Sequence, residues 1–116
     1  MRVRVLGDGR AREVYARFTA QWWNPASKSW VPVAGRARSA WVDVGSTVFA
    51  SRQNGWTFSF APATPGTHDL VRGLATVQWR SRGKVVAERT LVTRAGVAGV
   101  DGGRPAGTSR ASCTLG

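Results

Sequence analysis

A two-residue hydrophobic period runs through Val71 to Arg94, VRGLATVQWRSRGKVVAERTLVTR, and it excludes most of the ways this chain could fold. Val71, Ala75, Val77 and Trp79 fall on one side of an extended chain, and Arg72, Thr76, Gln78 and Arg80 on the other. Successive side chains leave opposite faces of a sheet, so this alternation specifies a half-buried strand. Ser81-Arg82-Gly83-Lys84 then supplies a tight turn. Gly83 tolerates a positive φ, and a type I turn closed by a glycine bulge is expected. The returning strand brings Val85, Ala87 and Leu91 beside Ala75, Val77 and Trp79, and sets Glu88 across from Thr76. One face of this hairpin is apolar and demands a second layer to cover it.

The rest of the chain reads as more strands. Val3 and Val5 alternate with Arg2 and Arg4, and the strand stops at Gly7-Asp8-Gly9. In the next, Val14, Ala16, Phe18, Ala20 and Trp22 face one way, with Glu13, Tyr15, Arg17, Thr19 and Gln21 opposite. Asn24-Pro25 ends it, and Pro32 makes Ser29 to Val33 an edge strand or no strand at all. Trp41 to Ala50 is one bent strand or two short ones, broken at Gly45-Ser46. Gln53-Asn54-Gly55 reads as a turn, after which Trp56, Phe58 and Phe60 form an aromatic stripe expected to join the core. Pro62, Pro65 and Gly66 make residues 61–69 a loop. No stretch of a dozen residues holds a helical period. The expectation is an all-β fold, an antiparallel two-sheet sandwich of immunoglobulin-like topology, with a jelly roll or small barrel as the alternative.

Its 116 residues suit one domain. We assign residues 1–94 to the sandwich. Glycines at 96, 99, 102, 103 and 107 make residues 95–116 a Gly-rich C-terminal arm, ending in a last strand at Ser112 to Leu115. No apolar run is long enough for a membrane span. The first ten residues are charged without the apolar stretch of a signal peptide. Export by another route, loss of a leader and no export therefore all stay open.

Catalysis has little to work with. His68, the sole histidine, lies in the Pro-rich loop beside Asp69, and neighbours on an extended chain point apart. The acids Asp8, Glu13, Asp43, Asp69, Glu88 and Asp101 are scattered singly, and no nucleophile elbow or phosphate loop occurs. One Cys and one His cannot make a zinc site, so no metal and no cofactor is expected. Cys113 can form no intramolecular disulfide, which leaves a small buried residue or an intermolecular bridge.

Binding has more. Seventeen basic residues against six acidic ones give +11, and fifteen of the seventeen are arginine. Such a surplus reflects a genome-wide preference for arginine or a surface that meets something anionic. Trp22 and Trp23 must point to opposite faces; with Trp22 in the core, Trp23 lies outside. Trp30, near Lys28 and Pro32, is a second exposed candidate, unless the two rings cover each other. Arg36, Arg38 and Arg52 complete the candidate surface.

Three stretches, Ser39 to Gly45 (SAWVDVG), Gly55 to Phe60 (GWTFSF) and Arg72 to Arg80 (RGLATVQWR), resemble small Trp- and Arg-rich immunoglobulin-like modules of actinobacterial proteins. Thr93 to Gly96 and Ser109 to Cys113 fit the same pattern, so the likeness spans residues 12 to 116. It implies an exported, cell-surface or particle-associated module without characterised activity. The reading is a non-enzymatic adhesion or structural module that binds a protein assembly or an anionic surface polymer, with a phage decoration or fibre protein as one version. In that version the C-terminal arm orders on a neighbouring subunit and makes a homo-oligomer. The alternatives are a polysaccharide-binding module, whose aromatics stack on sugar rings, and a nucleic-acid binder. The last is disfavoured, because no oligonucleotide-fold or RNA-recognition signature is present.

Overall fold

The computed structural model describes residues 1–33, 38–58, 70–97 and 112–115. Two long strands dominate it: β2 (Glu13–Asn24) and β6 (Leu70–Ser81). They pair antiparallel from Glu13↔Arg80 to Trp22↔Val71, so the alternation of each strand locks the alternation of the other. Val14, Ala16, Phe18, Ala75 and Val77 are all buried on the shared inner face. β3 (Ser29–Pro32) and β4 (Val42–Ser46) both pair with the outer edge of β2. β7 (Lys84–Val92) and the short β8 (Gly96–Val97) share the far edge of β6.

The second sheet has three strands in the order β5-β1-β9: β1 (Arg2–Leu6) between β5 (Ser51–Gly55) and β9 (Ser112–Leu115). β5 runs antiparallel to β1, and β9 runs parallel to it. Val3, Val5 and Leu115 face the larger sheet and join its buried residues, with Val44, in one core. The fold is thus an all-β two-sheet arrangement in which the larger sheet curls toward the smaller. Residues 112–115 return to this chain's own sheet.

Where a long strand changes partners, a hydroxyl replaces the missing carbonyl. Between β4 and β3, the Phe18 N–H donates to Ser39 Oγ at 2.8 Å, and Ser39 N–H returns a bond to Phe18 O at 2.8 Å. Between β7 and β8, the Gly73 N–H donates to Thr93 Oγ1 at 2.8 Å, and Thr93 N–H bonds Gly73 O at 2.8 Å. Both side chains are buried, and each keeps a buried N–H from being stranded. Thr47 does similar work at the crossing from β4 to β5. Its N–H bonds Arg12 O at 3.0 Å, and its hydroxyl accepts from Arg12 N–H at 3.2 Å and donates to Arg10 O.

Several sequence expectations change. The hairpin turn has both central residues left-handed, Arg82 at φ 51 and Gly83 at φ 77, between the paired Ser81 and Lys84. That is a two-residue I′ turn, whose twist suits the flanking strands. The bulge lies further in, between Trp79 and Arg80, and leaves Val86 unpaired. Glu88 consequently faces Gln78, and Val77 faces Arg89. β7 is exposed along nearly its whole length, so the apolar face of the hairpin is covered mainly on β6, with Leu91 the one residue of β7 that packs against the core. Trp22 is half-buried and outside the core cluster, whereas Trp79, also half-buried, packs against it.

Gln53-Asn54-Gly55, read as a turn, is strand, because pairing with β1 outweighs local turn preference. The strand stops where the aromatic stripe was expected to begin. Trp56 is 39% exposed, and Phe58 packs against the core from its margin. Phe60, His68 and Asp69 lie outside the described residues.

Candidate functional site

The outward side chains of β2 and β6 come from the charged half of each alternation, and the pairing register sets them in rows. Along the sheet these rows run Gln21–Arg72, Thr19–Leu74, Arg17–Thr76, Tyr15–Gln78 and Glu13–Arg80. Neighbouring strands widen them. An isolated bridge sets Arg38 beside Thr19, and the register of β4 against β2 brings Asp43 beside Tyr15. Trp30 lies across from Trp23.

Three guanidiniums on this face lie against aromatic rings. Arg72 Cζ is 4.3 Å from the centre of the Trp30 ring, and Trp30 meets Trp23 edge-on at 5.5 Å. Arg17 approaches Trp41 at 4.8 Å, and Arg80 lies over Tyr15 at 4.2 Å and near Trp41 at 5.2 Å. Stacking of this kind holds the plane of the guanidinium while leaving its N–H edge able to bind. Neutral amides complete the hold. Arg72 Nε donates to Gln21 Oε1 at 2.8 Å, and Arg80 donates through Nε and Nη2 to Gln78 Oε1 at 3.2 and 2.8 Å. Arg17 Nε is buried without a hydrogen-bond partner.

The two ends of the face differ in charge. Around Arg80 stand three carboxylates: Glu13, Asp43 and Glu88, the last accepting from Gln78 Nε2 at 2.6 Å. The Tyr15 hydroxyl donates to Glu13 Oε2 at 3.3 Å. Its pKa is raised above the ordinary tyrosine value, chiefly by the Glu13 carboxylate, then by burial and by Asp43, while Arg80 opposes the shift. Around Arg72, Arg38 and Arg17 the picture reverses. The rows from Arg17 to Trp23 carry no acidic side chain among the described residues.

Trp23 and Trp30, singled out from sequence, therefore lie on this face, each half-buried against the other. Arg38 joins them and is exposed. Arg52 does not: it is on β5 in the smaller sheet, across from Val5, with its guanidinium 3.7 Å from the centre of the Phe49 ring. There it lines an open cavity of about 420 Å³ with Arg4, Ser51 and Gln53. Arg36 lies outside the described residues.

Sequence reasoning placed Arg17, Arg72 and Arg80 on the polar faces of their strands without choosing them, because two strands read separately do not reveal that they are neighbours. The signal was their place in the polar half of each strand's alternation. The register of β2 on β6 was the missing part. No family model, curated protein or solved structure matches this chain.

Proposed function

We propose that this protein is a non-enzymatic binding module that docks an anionic polymer or surface on the half of its larger sheet that carries Arg17, Arg38 and Arg72. One observation carries the reading: Arg17, Arg38 and Arg72 stand together there with no carboxylate beside them among the described residues, and stacking pre-orients two of them. Charges gathered in this way attract a polyanion, and guanidiniums already fixed in place lose little side-chain freedom when it binds. Arg72 and Trp30 together make the anchor at one end. Arg17 and Trp41 make the other, with Arg38 extending from the sheet edge between them.

The reading is tested by binding to a heparin column at low salt. The triple variant Arg17→Gln, Arg38→Gln, Arg72→Gln should elute well before the unmodified protein, whereas Arg2→Gln, Arg4→Gln, Arg52→Gln, which removes the same charge from the other sheet, should elute much closer to it. Equal shifts for the two triples would mean that net charge alone drives binding, and the assigned face would be wrong.

A further inference from the structure

The end of the molecule where β1, β4 and β6 finish carries exposed apolar side chains on a turn that is held in place. Thr47-Val48-Phe49-Ala50 joins β4 to β5 there. Val48 is 52% exposed and Phe49 50%, and Leu6, the last residue of β1, is 42% exposed. Leu6 lies across from Ser51, and the Gly7 N–H donates to Ala50 O at 2.9 Å, so the three residues share this end. Further bonds tie the turn to residues 7–12. The Gly9 N–H donates to Thr47 O at 3.0 Å, and the buried Thr47 hydroxyl bonds the backbone of Arg10 and Arg12. A turn fixed in this way keeps its apolar side chains in water, and apolar side chains gathered at one exposed place mark a contact surface. The three links that meet here, 7–12, 47–50 and 82–83, all belong to the described residues.

Cations surround the apolar tip. The Arg52 guanidinium lies 3.7 Å from the centre of the Phe49 ring. Arg12 and Arg82 line an open cleft with Ser46, beside Glu13 and Arg80 of one row. Arg10 and Lys84 are exposed at the same end. The acids here among the described residues are Asp8, whose carboxylate accepts from the Arg10 N–H at 2.9 Å, and Glu13, which accepts from the Tyr15 hydroxyl. We infer that this tip enters the interface of an anionic lipid bilayer, with Val48 and Phe49 below the headgroups and the arginines among their phosphates. A bilayer yields to a convex apolar apex and needs no matching pocket, and its anionic headgroups complement the cations around it. Arg52, stacked on Phe49, keeps its charge at headgroup level while the ring goes deeper. The tip lies at the opposite end of the larger sheet from Arg72 and Trp30, so the inference is independent of the binding reading above.

The experiment sediments the full chain with vesicles of phosphatidylcholine alone and with vesicles in which about a third of the lipid is phosphatidylserine. Binding should be at least about ten-fold tighter to the anionic vesicles and should weaken with salt. Val48→Asn and Phe49→Asn, both at exposed positions, should each weaken it about ten-fold. Arg12→Gln and Arg82→Gln should each weaken it about five-fold. In a Cys113→Ser background, an environment-sensitive dye at Val48→Cys should shift to the blue on the anionic vesicles. The same dye at Thr57→Cys, at the other end of β5, should not. Binding that survives both Asn substitutions would mean adsorption by charge alone and would overturn insertion. Loss of binding in the Arg17→Gln, Arg38→Gln, Arg72→Gln triple, with the tip variants unaffected, would move the bilayer to the sheet face and overturn the tip assignment. No binding to either vesicle would overturn the inference, and self-association lost in Phe49→Asn would then give the tip to a second copy of the chain.

Discussion

Replacing Thr93 by valine asks whether one hydroxyl closes the gap where β6 passes from β7 to β8. Thr93 is 7% exposed, and its Oγ1 accepts from the Gly73 N–H at 2.8 Å. Valine keeps the shape and the bond from Thr93 N–H to Gly73 O but offers no acceptor, so the Gly73 N–H is buried unpaired. A stranded buried donor costs about 1–3 kcal/mol. The donation of the same hydroxyl to Arg94 O, at 3.2 Å, is lost as well, while the added methyl offsets part of the total. The net expectation is about 2 kcal/mol, a shift of roughly 8 °C in Tm for a domain of this size. Urea unfolding followed by tryptophan fluorescence measures it, and the midpoint should fall with the slope unchanged. Thr93→Ser keeps the acceptor and should lose under about 1 kcal/mol. Two results together would refute the argument: Thr93→Val within about 0.5 kcal/mol of the unmodified protein, and a Gly73 amide that exchanges no faster than before.

Phe18 is fully buried, so Phe18→Ala should destabilise by about 3–5 kcal/mol, whereas half-buried Trp79→Ala should lose about 1.5–3. The reverse order in chemical denaturation would mean that the hairpin register is wrong. A Cβ at Gly7 would overlap the carbonyl oxygens of Phe49 and Thr47, so Gly7→Ala should lower stability by more than about 2 kcal/mol. Gly83→Ala meets open space but keeps φ at 77, and should lose only about 1 kcal/mol. Ultraviolet titration should find Tyr15 ionising above 10.0, and Glu13→Gln should bring the midpoint down. Because the folded value is raised, the contribution of Tyr15 to stability is complete below its unfolded pKa and is lost as pH rises through the folded one.

The alternation in β2 and β6 is local, a property of one strand at a time, and it determined which side chains of each strand could be inward. Val14, Ala16, Phe18, Ala75 and Val77 are buried as that pattern required. The strand at Ser112 to Leu115 was legible too, and Gly83 marked the place of the tight turn after Ser81, though not its type. Partners were not legible. Backbone pairing is nearly blind to side chains, so polar Ser51–Gly55 became a strand because β1 offered it a ladder, and the aromatic residues after it were left at the margin of the core. The long hairpin showed an apolar face on both strands, but only a second sheet decides how much of such a face is covered, and here the cover reaches β7 only at Leu91. The candidate site divides in the same way. Sequence supplied arginines on the polar half of each strand and the tryptophans at 23 and 30; only the register of β2 on β6, and the bridge that seats Arg38 beside Thr19, set Arg72, Arg38 and Arg17 in consecutive rows. Residue spacing along a chain is fixed by covalent geometry, whereas spacing across a sheet exists only once the strands have chosen their neighbours.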